Sequence, residues 1–381
     1  MWLCVKKNLA FALLILLSSC QPNESAEENT SSEPTAEVRP LAKFEPADGK
    51  CILFVGQDLE SVGGLEDYND GYFDHFPTPG GFTMYSGISP GDTSFGYVMK
   101  GLDGIWETDD WGDSDNNMSL QLADEDFKHS ALAIGFWMVN HEGEIARGEQ
   151  DEMVDRFGEW LKSLHPRPVF LRIGYEFSGS WNHYNREDFI TAFRRIKDRY
   201  DSMGVKNVAY VWQSHGADEP LDLLASWYPG DEYVDWCAYS FFSRWEEANM
   251  VEFARQHGKP VFIAEATPTI STATTKTNGK TKETVLSNPA QAEEAWDNWF
   301  VPFFKTVTDN PDVVKAVSYI NCHWKSHRMW FDNPTFQDVD ARLQRSEMIR
   351  ERWLEETGKA TYLKASPALF DELWGAGKDS D

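Results

Sequence analysis

Glu176 lies in the stretch RIGYEFSGSWNHY, residues 172–184, and Glu265 closes the apolar run PVFIAEA, residues 260–266. Each follows a run of aliphatic and β-branched residues, so each carboxyl is expected at the tip of a strand. The interval between them fits three strand-plus-helix units of about 30 residues each. In a closed parallel barrel that interval puts the two carboxyls on the fourth and seventh strands, facing one another at the mouth. Two such groups, roughly 5–5.5 Å apart, can cleave a glycosidic bond with retention: one stays protonated to serve the leaving oxygen, the other stays ionised to attack the anomeric carbon. Mutual repulsion, with one group in an apolar setting, drives their pKa values apart. The competing reading of the same residues is an ion pair closing the barrel, or two unrelated loop carboxylates. Asp58, after ILFVGQ, is a third acid at a strand end.

Around these carboxyls stand aromatic side chains. Trp137, Trp181, Trp212, Tyr239 and Trp324 all fall at or just past expected strand ends. Flat rings bind the apolar C–H faces of sugars while leaving the hydroxyls free to hydrogen-bond. As a set they suit a glycan cleft. For any one of them core packing is an equal alternative, because the chain holds 16 Trp and large rings must also fill the layer between sheet and helices. Tyr175 and His183 flank Glu176 on either side as candidate sugar contacts.

The elements that would position these groups read as eight apolar runs alternating with helical patterns. The runs are residues 51–55, 82–85, 131–139, 169–175, 208–212, 233–242, 260–266 and 314–321. Helical periodicity appears in Met153, Phe157, Trp160, Leu161 and Leu164; in Phe189, Phe193, Ile196, Tyr200 and Met203; and in Ala292, Ala295, Trp296, Trp299, Phe303 and Val307. Asn185 is placed as an N-cap and Gly204 as a stop. Strand then helix, eight times, predicts a (β/α)8 TIM barrel with a single catalytic domain. A doubly wound open sheet would want a glycine-rich phosphate loop after the first strand, and FVGQDLESVGG lacks its spacing. Three longer segments, 58–80, 86–128 and 267–289, follow barrel strands and are expected to build or roof a cleft.

RIGYEFSGSWN resembles the acid/base segment of glycoside hydrolase family 26, the β-mannanase and β-1,3-xylanase group within a clan of retaining (β/α)8 hydrolases. The family has an Arg four residues before its catalytic Glu and Gly-Ser-Trp three to five after it, as Arg172, Glu176, Gly179, Ser180 and Trp181 stand here. FIAEATP is similar to the nucleophile strand of that clan, which implies that Glu265 is the nucleophile. The resemblance also implies that Tyr239, in YVDWCAYSFF, sits near the nucleophile and that Trp324, in INCHW, floors the sugar subsite at the cleavage point. In this reading Arg172 and Tyr239 orient and charge-stabilise Glu265, Tyr175 touches the sugar, and Trp181 and Trp324 stack on it. The likeness covers residues 50–360, strongest around the two glutamates. The chain departs from the mannanases at Tyr175, where they have His, at Ser178, where they have Asn, and at Ala266, where they have Phe. Those changes bear on which sugar is bound more than on fold or reaction.

The expected activity is a retaining endo-glycoside hydrolase acting on a neutral β-linked polysaccharide such as mannan, xylan or β-glucan. A glycan-binding protein that keeps the barrel without catalysis, or a transglycosylase, would use the same residues. A formal net charge of −27 repels nucleic acid and other polyanions, so no nucleic-acid partner is expected, and the chain is read as a monomer. No cofactor is expected. Asp113, Asp115, Asn117 and Asp124 loosely follow a calcium loop, but Met118 stands where that loop needs Gly, so a solvated acidic loop is the favoured reading. His129, His141, His183, His215 and His323 show no metal-ligand spacing, and no Cys/His cluster has zinc spacing, so no metal is expected.

The first 20 residues, MWLCVKKNLAFALLILLSSC, read as a secretory signal whose Leu17-Ser18-Ser19-Cys20 resembles a bacterial lipobox, implying lipidation of Cys20. The apolar run from Leu9 to Leu17 is too short to span a bilayer. Residues 1–19 are thus a signal peptide, 20–44 a Glu/Ser/Thr/Pro-rich tether that cannot bury enough surface to fold, and 45–381 the hydrolase domain. The expected location is the bacterial cell envelope, with the mature chain outside the cytoplasm and held to the membrane only through its lipid. Cys51, Cys237 and Cys322 are read as buried thiols rather than a disulfide framework.

Overall fold

The computed structural model describes residues 39–93, 96–242, 248–269 and 283–375. The chain divides into Met1–Arg39 and a compact unit, Pro40–Asp381, which carries everything that follows. Cys20 and its surroundings, and residues 270–282 of the third long segment, lie outside the described residues.

Eight parallel strands close on themselves. They are β1 (Cys51–Gly56), β2 (Gly81–Gly87), β3 (Ala131–Trp137), β4 (Val169–Ile173), β5 (Val208–Ser214), β6 (Trp236–Phe241), β7 (Val261–Ala266) and β8 (Val314–Ile320). Each pairs with the next, and β8 returns to β1 through a register running from Ile52 opposite Ala316 to Gly56 opposite Ile320. The fold is a (β/α)8 barrel. Every strand residue is buried, because helices cover the outer face and side chains fill the interior.

Strand alternation sorts the side chains into two cores. Inward positions form a compact plug in which Phe54, Phe170, Trp236 and Phe262 interleave with Ala131, Ala133, Ala209, Ala238 and Ala316. The aromatic rings meet mostly edge-on, with centroids 5.3 Å apart for Phe54 and Phe170 and 5.2 Å for Phe170 and Trp236. Large rings opposite alanines fill the barrel interior. Gly81 is needed here, since a Cβ would lie 2.4 Å from the Phe54 ring. Below the plug, Phe44 packs on Phe170 and Trp374.

Outward positions meet the helices. Helix α1 (Asp151–Ser163) buries Val154, Phe157, Gly158 and Leu161, and α2 (Arg186–Met203) buries Phe189, Ala192, Phe193, Ile196 and Tyr200, the spacing of one helical face. Asn185 caps α2, its Oδ1 accepting from the backbone of Glu187 and Asp188, and Gly204 ends it with φ +72°. The third helical pattern spans Pro289–Ala295 and Val301–Asp309, joined by a wide π turn over Trp296–Phe300. Pro302, two residues past the end of that turn, has no N–H with which to continue the regular ladder.

Candidate active site

Above the apolar plug the interior turns polar, at the C-terminal ends of the strands. Arg172 on β4, Gln213 on β5 and Ser240 on β6 all occupy inward positions and are fully buried. Each interrupts an otherwise apolar strand, and together they join the two glutamates. Arg172 Nη2 donates to Glu265 Oε1 at 2.6 Å. Gln213 Nε2 donates to the same oxygen at 3.2 Å and to Ser240 Oγ at 3.0 Å. Ser240 in turn donates to Glu176 Oε1 at 2.6 Å. Only two side chains therefore separate the carboxyls, which share one rim as their positions in the sequence predict.

Glu265 reaches this position through an irregularity. In β7 Phe262 and Ala264 belong to the interior core, so simple alternation would turn Glu265 outward. Pairing shows an extra residue instead. Tyr239 and Ser240 of β6 lie opposite Ile263 and Glu265, and Val317 and Tyr319 of β8 lie opposite Ile263 and Ala266. A one-residue bulge at Ala264–Glu265 thus re-aims the carboxylate into the mouth. Arg172 secures both halves of it, donating from Nη1 to Ala264 O at 3.4 Å as well as to Glu265.

Glu176 lies just past β4 in a left-handed turn, with φ +53° following Gly174 at +57°. That conformation costs a non-glycine residue about 1 kcal/mol or more. Asn182, which is buried, holds the turn by donating to the backbone oxygens of Tyr175 at 3.0 Å and Glu176 at 2.8 Å. Glu176 as a residue is 6 % exposed, and Trp181 Nε1 donates to its Oε2 at 3.2 Å. Burial, reinforced by the charge of Glu265, pushes its pKa up to about 8, while Ser240, Arg172 and Trp181 pull the other way. The carboxyl thus keeps its proton at neutral pH. Glu265 instead faces the fully buried Arg172 guanidinium. The two acids thus have different surroundings, one buried with a raised pKa and the other against a permanent cation, which suits the two roles in glycoside cleavage.

Tyr85, at the end of β2, is a site residue that the sequence did not single out. Its hydroxyl accepts from Arg172 Nη2 at 3.3 Å, and its ring lies 5.1 Å from the guanidinium, as does that of Tyr175. Tyr85 and Tyr175 meet edge-on at 5.1 Å, with Trp111 and Trp137 behind them. Gly135 makes room for this arrangement: a Cβ there would fall 2.4 Å from the Tyr85 ring and 3.0 Å from Arg172 Nη2.

The remaining candidates divide. Trp181 is 48 % exposed, edge-on to His215, and His183 beside it is open to solvent. Trp324 stands at the rim, bonded to Thr267 and stacked at 4.1 Å on Phe336, yet it is almost wholly covered. Two assignments are corrected. Trp212 points outward from β5, fully buried against Phe177, Tyr228 and Phe253 between sheet and helices, and offers no face to a sugar. Tyr239 likewise takes an outward position on β6, buried in that layer, and makes no hydrogen bond to Glu265; Tyr85 stands beside the carboxylate instead. Asp58 caps the short helix Leu59–Val62 and belongs to a separate cluster. The side chains of the loose calcium pattern are engaged apart from one another: Asp113 with Arg328, Asp115 with Tyr68, Asn117 and Asp124 as helix caps.

Residues 137–333, more than half of the chain, match the family described as Glycosyl hydrolase family 26. The chain belongs to glycoside hydrolase family 26. Among family relatives, it is 32 % identical over 355 residues to the β-1,3-xylanase TXYA of a Vibrio species, covering 88 % of this chain and 71 % of that one. It is also 32 % identical over 342 residues to a β-1,3-xylanase of an Alcaligenes species, covering 87 % and 68 %. A family 26 β-mannanase from Bacteroides ovatus superposes with a TM-score of 0.53 at 15 % identity, over 87 % of this chain and 95 % of that one. A family 26 protein from a Muricauda species reaches 0.56 at 12 % identity, over 86 % and 90 %. Both share the barrel. As a family 26 member the protein is an O-glycoside hydrolase, an endo-acting enzyme of neutral polysaccharide.

Proposed function

We propose that the protein is a retaining endo-β-1,3-xylanase in which Glu176 is the acid/base and Glu265 the nucleophile. Glu265 attacks the anomeric carbon as the bond to the leaving oxygen breaks, and the proton of Glu176 goes to that oxygen. Water then attacks the glycosyl–Glu265 ester, giving up a proton to Glu176 and releasing the sugar with its original configuration. Arg172 holds and aims Glu265, Tyr85 and Tyr175 line the sugar position, and Trp181 stacks on the chain beyond. The observation that carries this reading is the Glu265–Gln213–Ser240–Glu176 chain, one end beside a guanidinium and the other buried with a raised pKa. Two relatives that are β-1,3-xylanases support xylan over mannan, as does Tyr175 in place of the mannanase His.

The test is hydrolysis of β-1,3-xylan, β-1,4-mannan and mixed-linkage β-glucan by the purified chain, with product anomers followed by proton NMR. Release of short xylo-oligosaccharides with the β anomer formed first is expected. Inverted product, or mannan cleaved in preference to xylan, refutes the corresponding half of the proposal. Glu265→Ala is expected to abolish turnover while retaining xylan binding in affinity electrophoresis.

We further propose that Cys20 is lipidated and that residues 20–44 tether the domain to the cell envelope, a reading supported by Leu17-Ser18-Ser19-Cys20. Membrane fractionation of Cys20→Ser tests it. The variant is expected in the soluble fraction, and continued retention in the membrane fraction sinks the anchor.

A further inference from the structure

A second cluster of chemically capable side chains lies at the mouth of the barrel, outside the glutamate network. Asp58 follows β1, Cys322 follows β8 and His327 lies in the turn beyond; all three are buried. Cys322 Sγ is 3.7 Å from His327 Nδ1 and 3.9 Å from Nε2, and Nδ1 is 4.0 Å from Asp58 Oδ2. One donor atom from each residue can be chosen so that all lie within 4.8 Å of one another. With Zn–S about 2.3 Å and Zn–N or Zn–O about 2.0 Å, neighbouring donors around a tetrahedral zinc sit roughly 3.3–3.6 Å apart. Drawing the widest pair in by about an ångström, with a turn of the imidazole, brings the three into that range.

Three further features favour a cation. Asp58 is fully buried yet, among the described residues, has no Lys or Arg partner, while buried carboxylates are as a rule paired or metal-bound. Its carboxylate is already oriented from outside, by Ser61 N at 2.7 Å and Ser114 Oγ at 2.6 Å, as ligating carboxylates are. Against the cluster lies a cavity of about 280 Å³ lined by Glu60, Ser61, Tyr68, Asn321 and His327 among others. Ser61 is 1 % exposed beside the thiol, and the cavity leaves room for water as a fourth ligand.

We propose that Asp58, Cys322 and His327 bind a divalent zinc-class cation that ties the turn after β1 to the segment after β8. A thiolate, an imidazole and a carboxylate suit zinc over calcium or magnesium. Binding breaks the S–H bond of Cys322, forms the sulfur–metal bond and releases one proton to solvent. The ion fastens the rim and takes no part in bond cleavage, so the site stands or falls independently of the substrate reading. Sequence spacing conceals it, because one ligand comes from the first strand and two from beyond the eighth.

The test uses the full chain, stripped with chelator and titrated with Co²⁺ and Zn²⁺. One equivalent of cobalt is expected to give a thiolate-to-metal charge-transfer band, and zinc is expected to raise Tm by several degrees. Both effects should vanish in Cys322→Ala and His327→Gln and persist in Cys237→Ala, which removes a buried thiol elsewhere. Magnesium should produce no shift. Absence of the band and of the zinc shift in the unmodified chain overturns the proposal without any variant having to fold, and so does an undiminished band in Cys322→Ala.

Discussion

Ser240→Ala tests the electrostatics of the cleavage site most directly. In the folded chain the Ser240 hydroxyl donates to Glu176 Oε1 at 2.6 Å and opposes the rise in that carboxyl's pKa. A hydrogen bond to an ionised acceptor contributes roughly 1.5–3 kcal/mol. At about 1.36 kcal/mol per pKa unit, losing it raises the Glu176 pKa by roughly one to two units, and water entering the gap restores part of that. Glu176 acts as the acid in its protonated form, so activity falls as pH rises through its pKa. The alkaline limb of kcat/KM should therefore move from about 8 to roughly 9. The assay is kcat/KM against pH on a xylo-oligosaccharide, repeated on an aryl glycoside whose leaving group needs no proton. The aryl substrate should lack the limb. A limb that stays put, moves toward acid, or appears equally with the aryl substrate would refute the assignment of Glu176.

The same carboxyl couples pH to stability. Its folded pKa, about 8, lies above the roughly 4.3 of an unfolded glutamate, so its contribution is complete below the unfolded value and is lost as pH rises through the folded one. Glu176→Gln, which carries no charge, should gain in Tm relative to the unmodified chain as pH climbs across that window; a constant difference by calorimetry would contradict the burial argument. Trp181→Ala should raise KM several-fold and leave Tm nearly unchanged, since the ring is half exposed. Trp212→Ala should cost about 3–5 kcal/mol of stability by denaturant titration, with KM of the folded fraction unaltered; the reverse pattern would restore Trp212 to the cleft. Arg172→Met should leave Glu265 buried without its partner, costing about 3–5 kcal/mol and most of the activity, and Arg172→Lys should not recover the three contacts of the guanidinium.

Much of the site was legible because a polar residue at a strand tip is a local signal. Glu176 and Glu265 declared themselves that way, and Trp181 followed from its position after the turn. Gln213 and Ser240 carry the same kind of signal, each a polar residue at an inward position of a largely apolar strand. Tyr85 is hidden because its run, 82–85, is the shortest of the eight. Nearness to a strand end does not put Trp212 and Tyr239 in the cleft, because the face of the strand decides whether a ring meets the cleft or the helices. The fourth strand stops at Ile173 rather than Tyr175 because Gly174 and Glu176 take positive φ, which ends the ladder.

The sequence alone determined the alternation of strand and helix, hence the barrel, and hence that two carboxyls three units apart would meet at one rim. Those features follow from period-two and period-3.6 patterns and from chain length, which each segment carries within itself. The tertiary structure decided which way Glu265 points, because a bulge is defined only against the registers of β6 and β8. It also decided which tyrosine accompanies that carboxylate, and that Asp58 meets Cys322 and His327. Such contacts join residues far apart in the chain, and their distances are set by barrel closure rather than by any local pattern.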